Sequence, residues 1–528
     1  MKKTFILLTV LLFFAVVTRA DVSVAAQDNS QNEESQEDAG QSAEGEYTSL
    51  DQLNGKSIGV QTGTAQEQIV QQSLPDAELS FFNSYSDLVT ALDTHKIEGF
   101  PGDELVLRLI TAENPGLFLL NEPMYTVESG FVLPKTEEGD QLKAQMDTWV
   151  SSMKESGELE KIFKKWTEGA EDERTVPDYT SFPATNGTLV MATEGAYVPM
   201  NYFENGQLVG IEIDLAARFC KDNGYALQIE AMNFDGILAA VQTGKVDFAA
   251  AGVAITEERK QSVNFSTPYY VGGTIMAVRK VDDGSDASGS FWDGLVSSFN
   301  KTFIRESRWK MFVEGIGTTM LITLLSILFG TVLGFLVFML CRNGNPVSNG
   351  ITKVFVWLVT GTPMVVLLMI LYYIIFGSVS ISGIFVAVIG FTLTFGAAVF
   401  GLLKMGVGTI DRGQYEAAYA LGHSNRYTFF KIILPQAIPH VLSAYQGEIV
   451  GLIKATAIVG YIAVQDLAKM GDIVRSHTYE AFFPLISITI IYFALEGLFG
   501  FAISRIRINI DPKKRNRERI LRGVNSHD

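Results

Sequence analysis

The segment SIGVQTGTAQEQIV, residues 57–70, holds the first arrangement that could do chemistry: a short apolar strand runs through Gly63 and Thr64 into a helix. At such a junction the exposed backbone N–H groups and the helix dipole suit a carboxylate, although the same pattern also serves as an ordinary βα turn. Glu448 and Lys454 are a second candidate, because both stand in an apolar run. Charge is expensive in lipid and normally faces a bundle interior or a cavity, so the two can be a structural pair, interfacial side chains or part of a translocation path. Covalent chemistry finds no support. The only Gly-Lys-Ser, residues 55–57, has Leu50 where the first glycine of a P-loop would stand, and it opens a strand instead of a helix. No nucleophile triad, zinc-ligand cluster or paired catalytic carboxylates stand out, so the chain reads as a non-enzyme with no cofactor or metal of its own.

These residues must be held by elements in two different solvents. Of 528 residues, positions 1–300 hold 20 Lys+Arg against 46 Asp+Glu and positions 301–528 hold 21 against 12, together the 41 and 58 of the whole chain. An acidic front reads as a soluble region, basic residues flanking long apolar runs read as membrane topology signals, and nothing suggests a nucleic-acid partner. Lys2 and Lys3 ahead of the apolar run 5–17, then small residues at Ala20 or at Ala25 and Ala26, mark residues 1–26 as an export signal, cleaved or kept as an anchor. Residues 27–46 have too little apolar surface to fold and read as a flexible spacer. Cys220 and Cys341 fall where packing, not a disulfide, is expected. Beyond Gly317, apolar stretches of about 20 residues have the length to cross a bilayer. Spans are expected near 316–340, 352–376, 381–403, 443–464 and 483–504. An odd count with the front outside puts the basic tail 509–528 inside, along with Arg342, Lys353 and the 404–442 connection. Arg305, Arg308 and Lys310 fall outside, and 282–311 reads as a linker ending in an interfacial amphipathic helix.

Residues 47–172 alternate strand and helix through DLVTALDTHKIEGFPGDELVLRLI, 87–110, and GFVLPK, 130–135, to a helix ending in LEKIFKKW. Residues 186–281 do so again through GTLVMATEGAYVPMNYF, 187–203, and ITEERK, 255–260. Each piece reads as an α/β lobe with a mainly parallel sheet. Together they resemble the two lobes of the periplasmic binding proteins for polar amino acids, especially the glutamine-binding type. The order is exchanged. In that family the lobe with TEGAYVPMNYF and ITEERK comes first, and a DLxGKxVGVxxGT segment opens the second. The resemblance implies one circularly permuted domain in which the linker 173–185, around Pro177 and Pro183, joins the old ends. Two truncated domains, each needing a partner, is the alternative.

The same resemblance implies a ligand site between the lobes. Arg259 matches the residue that takes the ligand α-carboxylate, a suitable task for a planar fork of donors. Asp103 matches the acidic residue that takes the α-ammonium. Thr64 and its turn would add carboxylate donors, and Gly252 would offer main-chain groups. Tyr197 and Phe234 match an aromatic pair that sandwiches the ligand, and Glu194 stands where the side chain is read. Read singly, Arg259 or Asp103 could be a surface salt bridge and either ring could be core. Ala254 departs from a hydroxyl residue usual at its position, and Ala65 from a glycine.

Residues 416–437, EAAYALGHSNRYTFFKIILPQA, resemble the EAA loop of ABC importer permeases, with Glu416, Ala417, Ala418, Gly422, Ile432, Leu434 and Pro435 at the family spacing. Small residues let a short helix pack closely, Gly422 is expected to end it in a left-handed turn, and Pro435 to stop the next element. TGTP, 360–363, and KATAIVGYIAVQDL, 454–467, are permease-like, with Thr360 in place of an arginine and Ala455 in place of an aspartate. The fold class expected is multidomain: an α/β bilobed periplasmic-binding-protein-like domain, then an all-α five-span ABC importer transmembrane domain over 312–508. The function implied is the binding and permease subunit of an ATP-driven importer for polar amino acids in the cell membrane. Such a subunit would be a homodimer, and ATP and Mg would be used by a separate ABC ATPase subunit dimer. A ligand-gated channel or a membrane sensor built on the same bilobed fold is the alternative, but neither needs residues 412–438.

Overall fold

The computed structural model describes residues 45–281 and 291–510 apart from 343, 378, 380, 480 and 481. The expected signal segment 1–26, nearly all of the spacer, residues 282–290 of the linker and most of the basic tail lie outside the described residues. Residues 44–488 form one unit that holds every sheet; residues 1–43 and 489–528 form another, whose described part is the rest of the Phe482–Ile510 helix.

Thirteen strands are described: β1 Ser57–Gln61, β2 Glu78–Phe82, β3 Gly99–Asp103, β4 Leu117–Ser129, β5 Val132–Leu133, β6 Thr188–Thr193, β7 Ala196–Tyr197, β8 Asn201–Glu204, β9 Gln207–Val209, β10 Ala226–Ala231, β11 Phe248–Ala249, β12 Asn264–Phe265 and β13 Tyr270–Arg279. They build two five-stranded sheets, ordered β2-β1-β3-β13-β4 and β10-β6-β11-β5-β12, and a small sheet β7-β8-β9. In the first, β1 is parallel to β2 and β3, whereas β13 is antiparallel to β3 and β4. In the second, β6 is parallel to β10 and β11, whereas β5 is antiparallel to β11 and β12. Both sheets are therefore mixed rather than mainly parallel. The cause is two crossings: β4 feeds β5 in the other lobe, and β12 feeds β13 back, so each sheet takes an opposed strand from the other piece of sequence.

Local sequence explains the frame. Ile58 and Val60 of β1 pack with Leu53, Val70, Leu74, Leu120, Met276 and Val278 into one core. The Tyr85–Asp93 helix starts where Ser84 Oγ accepts from Asp87 N at 3.3 Å, and Glu137–Glu155 starts where Thr136 Oγ1 accepts from Gly139 N at 3.1 Å. Cys220 is fully buried in the Ile211–Asp222 helix, and burial pushes its thiol up to about 12, so it packs and does not react.

Three membrane-region helices, Trp309–Cys341, Gly383–Gly408 and Phe482–Ile506, are long and apolar enough to span a bilayer, and up to five spans result if two bent pairs each count as one. One expected span, 352–376, is not straight. Pro346–Gly361 and Met364–Ile375 meet at 109°, because Thr362 and Pro363 take extended backbone and Pro363 removes a donor. Trp309–Cys341 and Gly383–Gly408 approach closely through glycines: a Cβ on Gly334 would lie 2.5 Å from Gly396 O. Arg308 departs from the interfacial reading. It is 5% exposed and donates to Lys301 O, to Glu306 and to His477 Nδ1, beneath a corner at Glu306 and Ser307.

Both lobes rest on the membrane region. Lys245 Nζ donates to Val379 O and Ile381 O at 3.0 and 2.9 Å, and Tyr372 OH donates to Glu230 at 2.6 Å, from the lobe of the second sheet. From the lobe of the first, Asp87 pairs with Arg475 at 2.5 Å.

Candidate functional site

All seven residues proposed for the ligand line one cavity, with an empty volume of about 470 Å³ to its open mouth, together with Gln61, Tyr85 and Ala254. The first sheet brings Asp103 and Gln61 to the ends of β3 and β1, and the turn after β1 brings Thr64. Asp103 is the N-cap of the Glu104–Glu113 helix but its side chain does not cap it, which leaves the carboxylate for the cleft. The second lobe supplies Glu194 after β6, Tyr197 in β7, Phe234 at the first turn of its helix, Gly252 after β11 and Arg259 in a turn where Thr256 Oγ1 accepts its N–H at 3.2 Å.

These groups meet across the cleft. Arg259 donates to Ala254 O at 2.9 Å and, from the other lobe, Gly63 O at 2.8 Å. Gln61 Nε2 donates to Glu194 at 2.9 Å, and Tyr197 OH donates to Asp103. Burial pushes the Asp103 carboxyl up to about 6, the Tyr197 hydroxyl pulling the other way. Burial likewise pushes Glu194 up to about 7, against the pull of the Lys469 ammonium and of Gln61. The cavity thus gathers a cation, two carboxyls with raised pKa values and aromatic faces, groups that can meet opposite charges and an apolar surface.

Two of these residues already have partners. The Gly252 N–H is already committed to Glu212 at 2.7 Å, so it is no free donor. What Gly252 supplies is space: it stands at φ +62, and a Cβ there would lie 2.5 Å from the Tyr197 ring. The Thr64 hydroxyl donates to Gln61 O at 2.7 Å and would have to exchange that bond to meet a ligand. The ring stacked on Tyr197 is Tyr85, with centroids 5.6 Å apart, while Phe234 lines the same cavity.

Sequence reasoning missed Gln61, Tyr85 and Glu212. The first could have been found from its place at the carboxyl end of a strand. Glu212 is fully buried and accepts from Gly252 N, Tyr269 OH and Asn201 Nδ2, while Asn201 Oδ1 accepts from Gly195 N. One carboxylate thus fixes the two loops that carry Glu194, Tyr197 and Gly252. Its position in an amphipathic helix gives no outward sign of this.

The second candidate site is the segment 412–438. Arg412–Ala420 is a short helix exposed except at the half-buried Tyr415 and the buried Ala418, with Glu416 and Ala417 outward. Gly422 follows at φ +79, in the left-handed turn expected. Ile432 and Leu434 pack against the buried Phe338, Phe429 and Ile433. Pro435 does not stop an element: it lies in the first turn of Leu434–Ala455, where its missing N–H is harmless.

A family model described as bacterial extracellular solute-binding proteins, family 3, matches residues 189–442. The putative glutamine transport system permease protein GlnP of Rickettsia typhi is 34% identical over 193 residues, 36% of this chain and 88% of the relative. The L-cystine transport system permease protein TcyL of Bacillus subtilis is 31% identical over 213 residues, 38% of this chain and 87% of the relative. A solved structure described as an amino acid ABC transporter with histidines aligns at 25% identity and TM-score 0.37, covering 42% of this chain and 99% of its own. On a bilobed α/β region with mixed sheets and a helical region with apolar spans, the family model and the two relatives lead to one conclusion: the chain belongs to the polar amino-acid ABC transporter permeases and carries a solute-binding domain on the same polypeptide.

Proposed function

We propose that this chain is the binding and permease subunit of an ATP-driven importer for a polar amino acid, glutamine-like in kind, in the cell membrane. The observation that carries the reading is that Arg259 and Asp103, from opposite lobes, line one and the same cavity. Arg259 takes the α-carboxylate, Asp103 the α-ammonium, Tyr197 and Phe234 the aliphatic part, and Glu194 with Gln61 the side-chain end. Binding in such a cleft closes the lobes by a hinge at the β4–β5 and β12–β13 crossings. The exposed helix Arg412–Ala420, with Leu421 76% exposed beyond it, is the surface for a separate ATPase subunit, which binds ATP and Mg. Two copies of this chain would complete the pathway.

The binding domain is read as circularly permuted. Gly45 bridges Lys280, and Glu46 N donates to Arg279 O at 2.8 Å, so the two ends of the domain adjoin where an unpermuted chain would run on from β13 to β1. Calorimetric titration of the full chain in nanodiscs with glutamine, glutamate, asparagine, histidine, arginine and cystine tests the reading. Saturable binding of one of them, weakened about 30-fold or more by Arg259→Ala, is expected, since truncating one partner of a hydrogen-bonded charge pair costs about 2–5 kcal/mol. Absence of binding by a folded chain would refute it.

A further inference from the structure

A second cavity, with an empty volume of about 610 Å³, adjoins the cleft and shares Glu194 and Phe234 with it as a common wall. Its far side belongs to the membrane region: Tyr461 and the Leu467–Thr478 helix, which contributes Lys469, Asp472 and Arg475. Thr62, Asn83, Ser84, Asn233, Asp235 and Ser476 complete the polar lining.

A buried cation, Lys469, and a half-buried one, Arg475, need a reason at this place, because taking an ammonium or guanidinium out of water carries a cost that pairing must offset. Lys469 is 9% exposed, and its Nζ donates to Asn233 Oδ1 at 2.8 Å, the residue just before Phe234. An ammonium has three donors, so this bond leaves it capacity. Arg475 is held by Asp87 at 2.5 Å and Asp472 at 3.0 Å, yet its Nε is buried with no hydrogen-bond partner among the described residues. A buried donor left unpaired is destabilising, and a carboxylate placed beside it would relieve that. Against these two cations stand Glu194, Asp235 and Asp472. A simple anion entering would meet a wall with an excess of acid, whereas a zwitterion can give its carboxylate to Lys469 and Arg475 and its ammonium to Asp235 or Asp472. Anchoring of the lobes does not account for Lys469, since Lys245, Tyr372 and Arg475 already tie one lobe or the other to the membrane helices.

We propose that this cavity is a second, weaker subsite for the amino acid, built jointly by the binding domain and the membrane region, in which Lys469 and Arg475 take the carboxylate that Arg259 releases. The subsite rests on the reading of the cleft as an amino-acid site. It lies on the permease side of Glu194 and Phe234, so a ligand leaving the cleft enters it before the membrane helices.

The test is equilibrium titration of the full chain in nanodiscs with the amino acid that the wild type binds from the panel above, carried to millimolar concentration. Two binding events per chain are expected, one tight and one weak. Arg259→Ala should remove the tight event and keep the weak one. Lys469→Gln should weaken the second event at least tenfold while leaving the tight one within threefold, and Lys469→Arg should restore it. Thr62→Trp, at an exposed position on the cavity wall, should abolish the weak event by filling the space, and it keeps the test decisive should Lys469→Gln fail to accumulate. A wild-type chain with the tight event alone, or weak binding unchanged in both Lys469→Gln and Thr62→Trp, overturns the subsite and leaves the cleft reading standing. Absence of the tight event in the wild type overturns the cleft reading itself.

Discussion

At the scale of single residues, the two carboxyls of the cleft give binding and stability opposite pH dependences. Folding lifts Asp103 from 3.8 to about 6 and Glu194 from 4.5 to about 7, burial being the largest cause for each. A carboxyl raised on folding holds more protons in the folded than in the unfolded chain between those two values, so its contribution to stability is whole below the lower value and is lost as pH climbs through the upper. The ligand-free chain should therefore melt at progressively lower temperature from pH 4 to pH 7. Ligand affinity should move the other way, because an ammonium needs the ionised Asp103, and below about pH 6 it should fall toward tenfold per unit. Asp103→Asn should flatten the affinity profile as well as weaken binding; calorimetry across pH reads both, and a flat wild-type profile would remove Asp103 from the ammonium. Gly252→Ala is the steric counterpart. With φ +62 and a Cβ 2.5 Å from the Tyr197 ring, it should push that ring off Asp103 and weaken binding about tenfold or more, since overpacking costs about 1–3 kcal/mol. Arg259, Asp103, Glu194, Tyr197 and Phe234 were nominated by the resemblance of the segments that hold them, whereas Tyr85, which lines the same cavity, carried no such signal. Glu212 was not legible, because a fully buried carboxylate that only aligns loops looks in sequence like one more polar position on a helix.

At the scale of elements, what the sequence showed and what it concealed follow from how local the cause is. Strands and helices of the lobes were legible from apolar runs and turns, and the left-handed close at Gly422 from a glycine after small residues. The sense of the sheet pairings was not, because β5 and β13 owe their antiparallel places to crossings that only the whole domain defines. The bend after Gly361 was concealed by continuous hydropathy, though Pro363 marked it, and Pro435 was misread because a proline can begin a helix as readily as end one. Arg308 was read as interfacial because its partner His477 is 169 positions away. Helix pairing in the membrane region is set by glycine contacts. Gly334→Val should separate Trp309–Cys341 from Gly383–Gly408, whose closest approach puts Gly396 O where a Cβ would stand. The expected result is a loss of about 1–3 kcal/mol or more in stability, seen as a lower melting temperature in detergent, with the ligand affinity of the binding domain unchanged.

At the scale of the whole molecule, the proposed permutation would decide which lobe leads into the membrane. In the unpermuted order the domain would end after the Glu158–Thr167 helix, which packs on the second sheet's lobe; here it ends with β13 of the first. The two ends of the domain are held together. Arg279 donates to Leu92 O and Ile97 O at 3.0 and 2.8 Å and pairs with Glu46 and Glu98, so the last strand of the domain grips its first residues. Ends in contact need only a short connection, and closing a loop a few residues longer or shorter changes stability by less than about 1 kcal/mol. The domain relinked from residue 280 to residue 45 through a few glycines and opened within 173–185 should therefore fold, with a ligand Kd within threefold of residues 45–281 in their natural order. Titration of the two forms side by side decides between the readings of this region. Equal affinity is the result for one domain whose lobes are complete and merely reordered. If the relinked form folds without binding while the natural order binds, the order itself is functional and the permutation reading fails. If neither folded form binds, the two pieces are half-domains that need a second chain.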